Sequence, residues 1–264
     1  KDESLTGISP ADADSVVDAV TKGLRRGQDQ YGIIVNQILC CICWRPEWAH
    51  DVVRLANERR DVVVGVDIAA GEEHFDAKAH PDLHGPHNKA MMHAQELNLN
   101  VTMHAGEVGG SENVRIAVWD YGAKRIGHGY QIIGDTKLMN DLRERDIHIE
   151  VCPISSRETG GWSGPYHDWE NHPGSTMVAN NLSVGLNSDD PAVFNTSLAW
   201  QLRIGLAKMK LSKEEIVRSV QESIRAAFCS EATKESLRSK LDSYLQKGVL
   251  SYSRGVEFDE RVGG

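Results

Sequence analysis

The sequence predicts an α/β fold in which helices cover both faces of a parallel β-sheet. Six short apolar runs recur along the chain, and stretches with a helical pattern lie between them. Apolar strands that alternate with helices are typical of parallel sheets. Histidine or aspartate residues end or follow four of the runs, and ligands of parallel α/β folds gather at the carboxyl ends of the strands.

The predicted strands cover residues 33–40, 62–68, 99–104, 125–128, 147–152 and 182–187. Helices are predicted near residues 47–60, 87–98, 111–122, 135–145 and 172–180. Ser9 and Pro10 are typical of a helix start before the first strand, since serine caps a helix and proline fits its first turn. Ser212 and Glu215 form a capping-box pattern after the last strand. Because no linker or internal repeat interrupts the sequence, we expect one domain over residues 1–264.

The composition argues against two classes of protein. The 264 residues carry a formal net charge of −9, whereas a nucleic-acid surface needs clustered Lys and Arg. No apolar run approaches the ~20 residues of a membrane span. Cys40, Cys41 and Cys43 lie inside an apolar run, which is typical of reduced core thiols. We therefore expect a cytoplasmic protein with neither a nucleic-acid partner nor a membrane span.

Four predicted strands deliver polar side chains to one edge of the sheet. Asp67, His104 and His128 end the second, third and fourth runs, and Asp189 and Asp190 follow the sixth. Imidazole and carboxylate groups suit Zn²⁺, and a catalytic zinc keeps one position open for water. The sequence therefore favours His104 and Asp189 as ligands of a zinc ion at this edge.

Further residues near these ligands suit proton transfer and substrate binding. Glu107 lies three residues after His104, close enough to share the site without binding the metal. His128 lies between two glycines, where the backbone approaches a ligand closely. Asp189 and Asp190 are adjacent, so their carboxylates point in different directions, one toward a metal and the other toward a substrate donor.

Each of these residues also has a purely structural interpretation. A lone histidine at a strand end is usually a hydrogen-bonding residue, and Asp-Asp-Pro is a common turn opener. Glu107 suits the amino end of a helix dipole, and Asp67 suits a loop cap. If all of these residues were purely structural, polar side chains would occur by coincidence at the ends of four strands of one sheet. We therefore favour a single site where these side chains converge.

Two other clusters resemble functional motifs but fit structural roles. His80, His84, His87 and His93 are close in sequence, but the prolines and glycine among them predict a loop that leads into a helix. His148 and Glu150 match the H-x-E of cytidine-type deaminases, which also need a P-C-x-x-C motif. Since the only cysteines after His148 are Cys152 and Cys229, that class is excluded, and the segment fits strand alternation.

The motifs together resemble those of the adenosine deaminases, which are zinc-dependent amidohydrolases with a (β/α)₈ TIM barrel. The matching segments are GIIVNQILCCIC, VVVGVDIAAGEE, VTMHAGEVGG, RIGHGY, IEVCPISS and LNSDDPAVF, in the order of the family. The resemblance implies hydrolytic deamination of adenosine and 2′-deoxyadenosine to inosine and ammonia. It also implies a fold that is an incomplete TIM barrel, with about strands 3–8 and their helices.

The resemblance implies a role for each matching residue. His104 and Asp189 would bind zinc, and Glu107 would donate a proton to N1 of the purine. His128 would orient and deprotonate the attacking water, and Asp190 would form a hydrogen bond with N7. A backbone N–H after the second strand would meet N3, and either Ala70 or Gly71 fits that position.

One departure from the family bears on activity. The family carries a His-x-His pair on its first strand that supplies two more zinc ligands, and these 264 residues contain no such pair. We expect the first two strands and these ligands to come from a segment upstream of this sequence. Two alternatives stay open, a catalytically inactive or binding-only chain and a related amidohydrolase that acts on another purine amine.

Overall fold

The structure is a computed structural model that describes residues 12–75, 80–162 and 168–247. Its six strands are all parallel and lie in chain order within one sheet. They are β1 Gln37–Ile42, β2 Val63–Ala69, β3 Asn100–Ala105, β4 Arg125–His128, β5 His148–Val151 and β6 Ser183–Leu186. Each predicted strand overlaps one of them, which confirms the α/β prediction.

Helices connect and flank the strands in the described part of the chain. They are α1 Ala13–Tyr31, α2 Ala49–Glu58, α3 Pro81–Glu96, α4 Ser111–Arg115, α5 Thr136–Glu144, α6 Pro153–Thr159, α7 Pro173–Ala179, α8 Leu198–Ala207, α9 Lys213–Ala226 and α10 Glu231–Gln246. A π-helical turn, Ile116–Asp120, continues α4. The capping box of α9 is formed as predicted, with Ser212 and Glu215 bonding each other's backbone N–H groups. None of the helices described here is long and apolar enough to cross a bilayer.

The boundaries of α1 and β1 differ from the sequence-based prediction. The side chain of Asp12 caps α1 by accepting a hydrogen bond from the Ser15 N–H at 2.8 Å. The predicted start at Ser9 and Pro10 lies outside the described residues. Strand β1 begins at Gln37 and not at residue 33, because pairing with β2 starts there.

Helix α3 begins earlier than predicted. Pro81 occupies its first turn. The N–H groups of the first turn have no partner within the helix, so the N–H that proline lacks is not needed there. Gly85 and Pro86, which were expected to mark a loop, lie within the helix. The buried face of α3 includes Ala90 and Met91, so the packing of this face outweighs the hydrogen bond that Pro86 removes.

The two faces of the central strands differ in polarity. Val66, Val101 and Ile126 belong to one face and join the hydrophobic core. The alternate residues of the same strands form ion pairs across the other face, such as His104 with Asp67 and Arg125 with Glu150. The sequence pattern predicted cover on both faces, whereas this second face is polar, as at the inner wall of a partial barrel. The carboxyl ends of the strands meet at its edge, where the site lies.

Candidate active site

The site is centred on His104, near the end of β3. The Nδ1 atom of His104 lies 3.0 Å from Oδ2 of Asp67 on the neighbouring strand. Burial alone would lower the pKa of His104, but the charge and hydrogen bond of Asp67, with Glu150 and Asp189 nearby, raise that pKa to about 9. Since Nδ1 faces Asp67, the Nε2 atom of His104 is the ring nitrogen left for a ligand.

Glycine at position 127 allows the His104 ring to lie against β4. A Cβ atom at Gly127 would come within 3.2 Å of the His104 ring. Gly127 pairs with His104 in the sheet, so the imidazole lies across the backbone of its neighbour. The close backbone approach that the glycines around His128 suggested is therefore an approach to His104.

His128 ends β4 and turns toward His104. Its φ of +67° is a left-handed conformation, which is unusual for a residue that is not glycine. The ring centroids of His104 and His128 are 5.1 Å apart, with an edge-to-face geometry. Burial, followed by the positive charge of His104, lowers the pKa of His128 to about 4. This shift favours the neutral imidazole, which has a nitrogen lone pair that can accept a proton.

Glu107 lies beside His128 in the segment that follows β3. Its Oε2 atom is 3.6 Å from Nε2 of His128, and its Oε1 atom is 3.3 Å from the Thr159 hydroxyl. Burial is the largest effect on this carboxyl, and with the charges of Asp189 and Glu72 it raises the pKa of Glu107 against the opposing effect of His104. A raised pKa favours the protonated form that a general acid requires.

Asp189 and Cys152 complete the inner part of the site. Donor atoms of His128, Cys152 and Asp189 lie within 4.8 Å of one another. The Oδ2 atom of Asp189 accepts a hydrogen bond from the Ser155 hydroxyl at 2.6 Å. A cavity of about 340 Å³ opens here, and its lining includes His104, His128, Cys152 and Asp189. This volume is within the range of small-molecule sites.

The remaining predicted site residues, like Glu107, are not among the residues that line the cavity. Asp190 is exposed and is not among the residues that line the cavity. Ala70 and Gly71 follow β2 and have φ values of +63° and +77°. They too are absent from the cavity lining.

The histidines of the 80–93 segment have structural contacts. His87 is fully buried, and its Nε2 lies 2.8 Å from the Cys43 carbonyl oxygen. The His84 ring lies against Phe75 and Tyr121, at centroid distances of 5.9 and 5.3 Å. His148 is buried with its Nδ1 2.8 Å from the Ser183 hydroxyl, and it lies in β5, so the predicted strand is confirmed.

The donor set at the cavity fits a zinc ion. A histidine that binds zinc usually has its other ring nitrogen on a carboxylate, which is the arrangement of His104 and Asp67. His104 and Asp189 offer nitrogen and oxygen ligands, both of which zinc accepts. Structural and catalytic zinc sites have three or four protein ligands, and these two residues account for part of such a set.

Sequence reasoning missed three contacts of the site. Asp67 was assigned to the strand-end group without a partner, Cys152 was considered only for a rejected motif, and Ser155 was not considered. Asp67 and Cys152 lie at or just after strand ends on the same edge as His104 and His128. This shared edge was the signal in the sequence that Asp67 and Cys152 belong to the site. It does not predict that Asp67 pairs with His104, because the pairing depends on the direction of both side chains.

Comparison with protein families adds independent information. A family model described as adenosine deaminase matches residues 4–244. The adenosine deaminase of Xenopus tropicalis is 36% identical over 229 residues, which are 86% of this chain and 62% of that protein. This chain therefore spans less than two thirds of the length of that relative.

Two solved structures are also similar. An amidohydrolase from Burkholderia ambifaria with bound zinc is 25% identical, with a TM-score of 0.80 over 93% of this chain and 65% of that one. The N6-methyl-AMP deaminase of Arabidopsis thaliana is 27% identical, with a TM-score of 0.69 over 81% of this chain and 60% of that one. These similarities agree with a six-stranded part of a TIM barrel.

Proposed function

This chain belongs to the adenosine deaminase family, and we propose that it carries the catalytic cavity of a zinc-dependent deaminase. The substrates are adenosine and 2′-deoxyadenosine, which react with water to give inosine or deoxyinosine and ammonia. The observation that carries the proposal is the convergence of His104, His128 and Asp189 around one cavity of about 340 Å³, with Glu107 3.6 Å from His128.

His104 and Asp189 are the residues that would hold zinc. The Asp67 carboxylate fixes the His104 ring, and the Ser155 hydroxyl fixes one oxygen of Asp189. When bound, Zn²⁺ supplies a Lewis acid that makes water reactive at neutral pH. A zinc site has three or four protein ligands, so the proposal requires donors in addition to His104 and Asp189. Among the described residues, Cys152 has a donor atom within 4.8 Å of one of Asp189.

Glu107 acts as the general acid of the reaction. Attack of water at C6 of the purine places electrons on N1, and a proton from Glu107 at N1 neutralises them. Glu107 must be protonated for this step, and burial raises its pKa in that direction. C6 becomes tetrahedral, and the amino group leaves as ammonia with the proton that His128 took from the water. The remaining hydroxyl proton returns to Glu107, which leaves the C6 carbonyl of inosine.

His128 acts as the base and orients the attacking water. Its lowered pKa leaves the imidazole neutral, and its Nε2 lies between Glu107 Oε2 at 3.6 Å and Asp189 Oδ2 at 3.9 Å. A water that contacts Asp189 is therefore within reach of this nitrogen. Asp190 forms the hydrogen bond to the acceptor N7 of the purine, and the backbone after β2 donates one to N3, from Ala70 or Gly71.

The test is conversion of adenosine by the 264-residue chain with zinc, followed by ultraviolet absorbance. A Glu107→Gln variant keeps the shape of the side chain but removes the proton, so turnover should fall by about 10²- to 10⁴-fold. Absence of inosine at every zinc concentration would reject the proposal for this chain. A panel with 2′-deoxyadenosine, adenine and N6-methyl-AMP distinguishes the nucleoside deaminase from an enzyme that prefers another purine amine.

A further inference from the structure

We propose that Glu72 is a positioning residue of this site, which holds the segment Gly106–Val108 and thereby places Glu107 for proton transfer. The inference rests on the proposed deaminase function. Glu72 lies in the loop after β2 and is 9% exposed. It does not line the cavity, and it reaches the site through the backbone of the β3–α4 connection.

The carboxylate of Glu72 accepts hydrogen bonds from three successive backbone N–H groups. Its Oε1 accepts from the N–H of Gly106, and its Oε2 accepts from Glu107 at 2.8 Å and from Val108 at 3.0 Å. The Asn113 amide adds a fourth donor to Oε1 at 3.1 Å. All four partners are donors, and an ionised carboxylate is the side chain that accepts from all of them.

The glycines of the β3–α4 connection are explained by the same contact. Gly106 has a φ of +73°, which curls the chain so that successive N–H groups face one point. A Cβ atom at Gly109 would lie 2.7 Å from Oε1 of Glu72 and 2.2 Å from the Asn113 amide nitrogen. The segment therefore wraps closely around a charge that comes from a different loop.

This arrangement determines where Glu107 lies. The Glu107 N–H is the middle one of the three, so its Cα is fixed on both sides by bonds to Glu72. From that Cα the carboxyl of Glu107 reaches to 3.6 Å from His128. Because proton transfer depends on position, a shift of about 1 Å in a reacting group is enough to lower turnover roughly 10²-fold.

The same loop carries Ala70 and Gly71, the candidates for the purine N3 contact. Both have positive φ values and immediately precede Glu72. Glu72 thus ties the segment proposed to bind the base to the segment that carries the acid.

The experiment is a double-mutant cycle with Glu72→Gln and Glu107→Gln. Glu72→Gln replaces an acceptor oxygen with an NH₂ donor, which cannot accept from the backbone N–H groups and so loosens the segment around Glu107. We expect kcat for adenosine to fall by about 10- to 100-fold, while KM changes less than about threefold. In the Glu107→Gln background, Glu72→Gln should cause little further loss, because it acts through Glu107. Equal losses in both backgrounds, or an unchanged kcat in the single variant, would overturn the proposal.

The matched control is Glu112→Gln, an exposed glutamate of α4 whose side chain is 72% exposed. It should leave kcat and melting temperature unchanged. If Glu72→Gln does not fold, Gly109→Ala tests the same cluster, because its Cβ would collide with both the Glu72 carboxylate and the Asn113 amide that is bonded to it. It should show the same dependence on Glu107.

Hydrogen exchange separates this proposal from the proposed function. Glu72→Gln should increase exchange of the Gly106, Glu107 and Val108 amides and leave the strand amides protected. If the parent chain forms no inosine, the deaminase function fails, and this exchange pattern alone decides whether Glu72 holds the segment. Unchanged protection of the three amides would reject that contact.

Discussion

The Nδ1 atom of His104 lies 3.0 Å from Oδ2 of Asp67, and the two residues belong to neighbouring strands. The pair is mostly buried, with side-chain exposures of 32% for His104 and 11% for Asp67. Burial opposes ionisation of Asp67, but the charge and hydrogen bond of His104 still lower its pKa. The ionised carboxylate therefore fixes the ring and directs Nε2 toward the cavity.

Asp67→Asn should weaken zinc binding. The amide cannot hold the imidazole as a carboxylate does, and loss of such a partner typically lowers metal affinity by about 10- to 100-fold. Competition of the chain with a zinc chelator measures this affinity. Asp61→Asn is the control, since Asp61 is 72% exposed and pairs with Arg25 on the surface. Equal affinities for all three proteins would contradict the role of Asp67.

Gly161→Ala should lower activity with little effect on stability. A Cβ atom at this position would lie within 3 Å of Oε1, Cδ and Cγ of Glu107, so the whole side chain must shift. Glu107 can move aside without disturbing the core, but it then leaves its place beside His128. The expected result is a kcat reduced by about tenfold or more and an unchanged melting temperature. Gly134→Ala, where no atom lies within 4 Å of the added Cβ, is the comparison.

Acid should destabilise the fold through two buried histidines outside the metal cluster. Burial lowers the pKa of His172 to about 3, and burial with Arg125 and Arg225 lowers that of His148 to about 3. The unfolded chain binds these protons near pH 6.5 and the folded chain does not. Stability is therefore full above pH 6.5 and falls as the pH drops toward 3, by about 1.4 kcal/mol per pH unit for each histidine.

Urea unfolding between pH 7.5 and 5 measures this slope. The Nδ1 atom of His172 accepts a hydrogen bond from the Gly174 N–H at 3.1 Å, so protonation there breaks a helix cap. His172→Asn keeps a capping acceptor and removes the titration. The variant should show a shallower pH dependence than the parent. An identical slope in both proteins would assign the acid sensitivity to other groups.

The sheet edges should promote self-association of this chain. Within the described residues, β1 and β6 are the first and last strands of an open sheet, and each pairs on one side. Unpaired edges are templates for pairing with another chain. Ile34, which is 66% exposed just before β1, offers a test, since Ile34→Lys should reduce association in sedimentation velocity. A monomeric parent chain with one cooperative unfolding transition would contradict this prediction.

Sequence patterns predicted the strands well because buried parallel strands are continuous apolar runs. They predicted helix α3 poorly, since Pro86 and Gly85 are local signals and the buried face that includes Met91 depends on tertiary packing. Strand-end positions brought His104 and His128 together correctly, with ring centroids 5.1 Å apart.

Contacts between loops were not predictable from these patterns. The bonds from Glu72 to the Gly106–Val108 backbone join residues 34 to 36 positions apart. Nothing in the spacing of Glu72 distinguishes it from Glu73, which is exposed. The direction of a side chain in the folded chain decides such a contact. The exposure of Asp190 likewise follows from the turn after β6 and not from its sequence neighbour Asp189.

The proposed function requires that one zinc-dependent cavity deaminates adenosine. The most direct measurement is the initial rate of inosine formation by the metal-free chain as zinc is added, compared with the same titration of His104→Asn. The proposed function predicts that the rate of the parent rises to a plateau near one zinc per chain and that the variant gives no such rise. A rate independent of zinc, equal titrations for both proteins, or no inosine at any zinc concentration would contradict it.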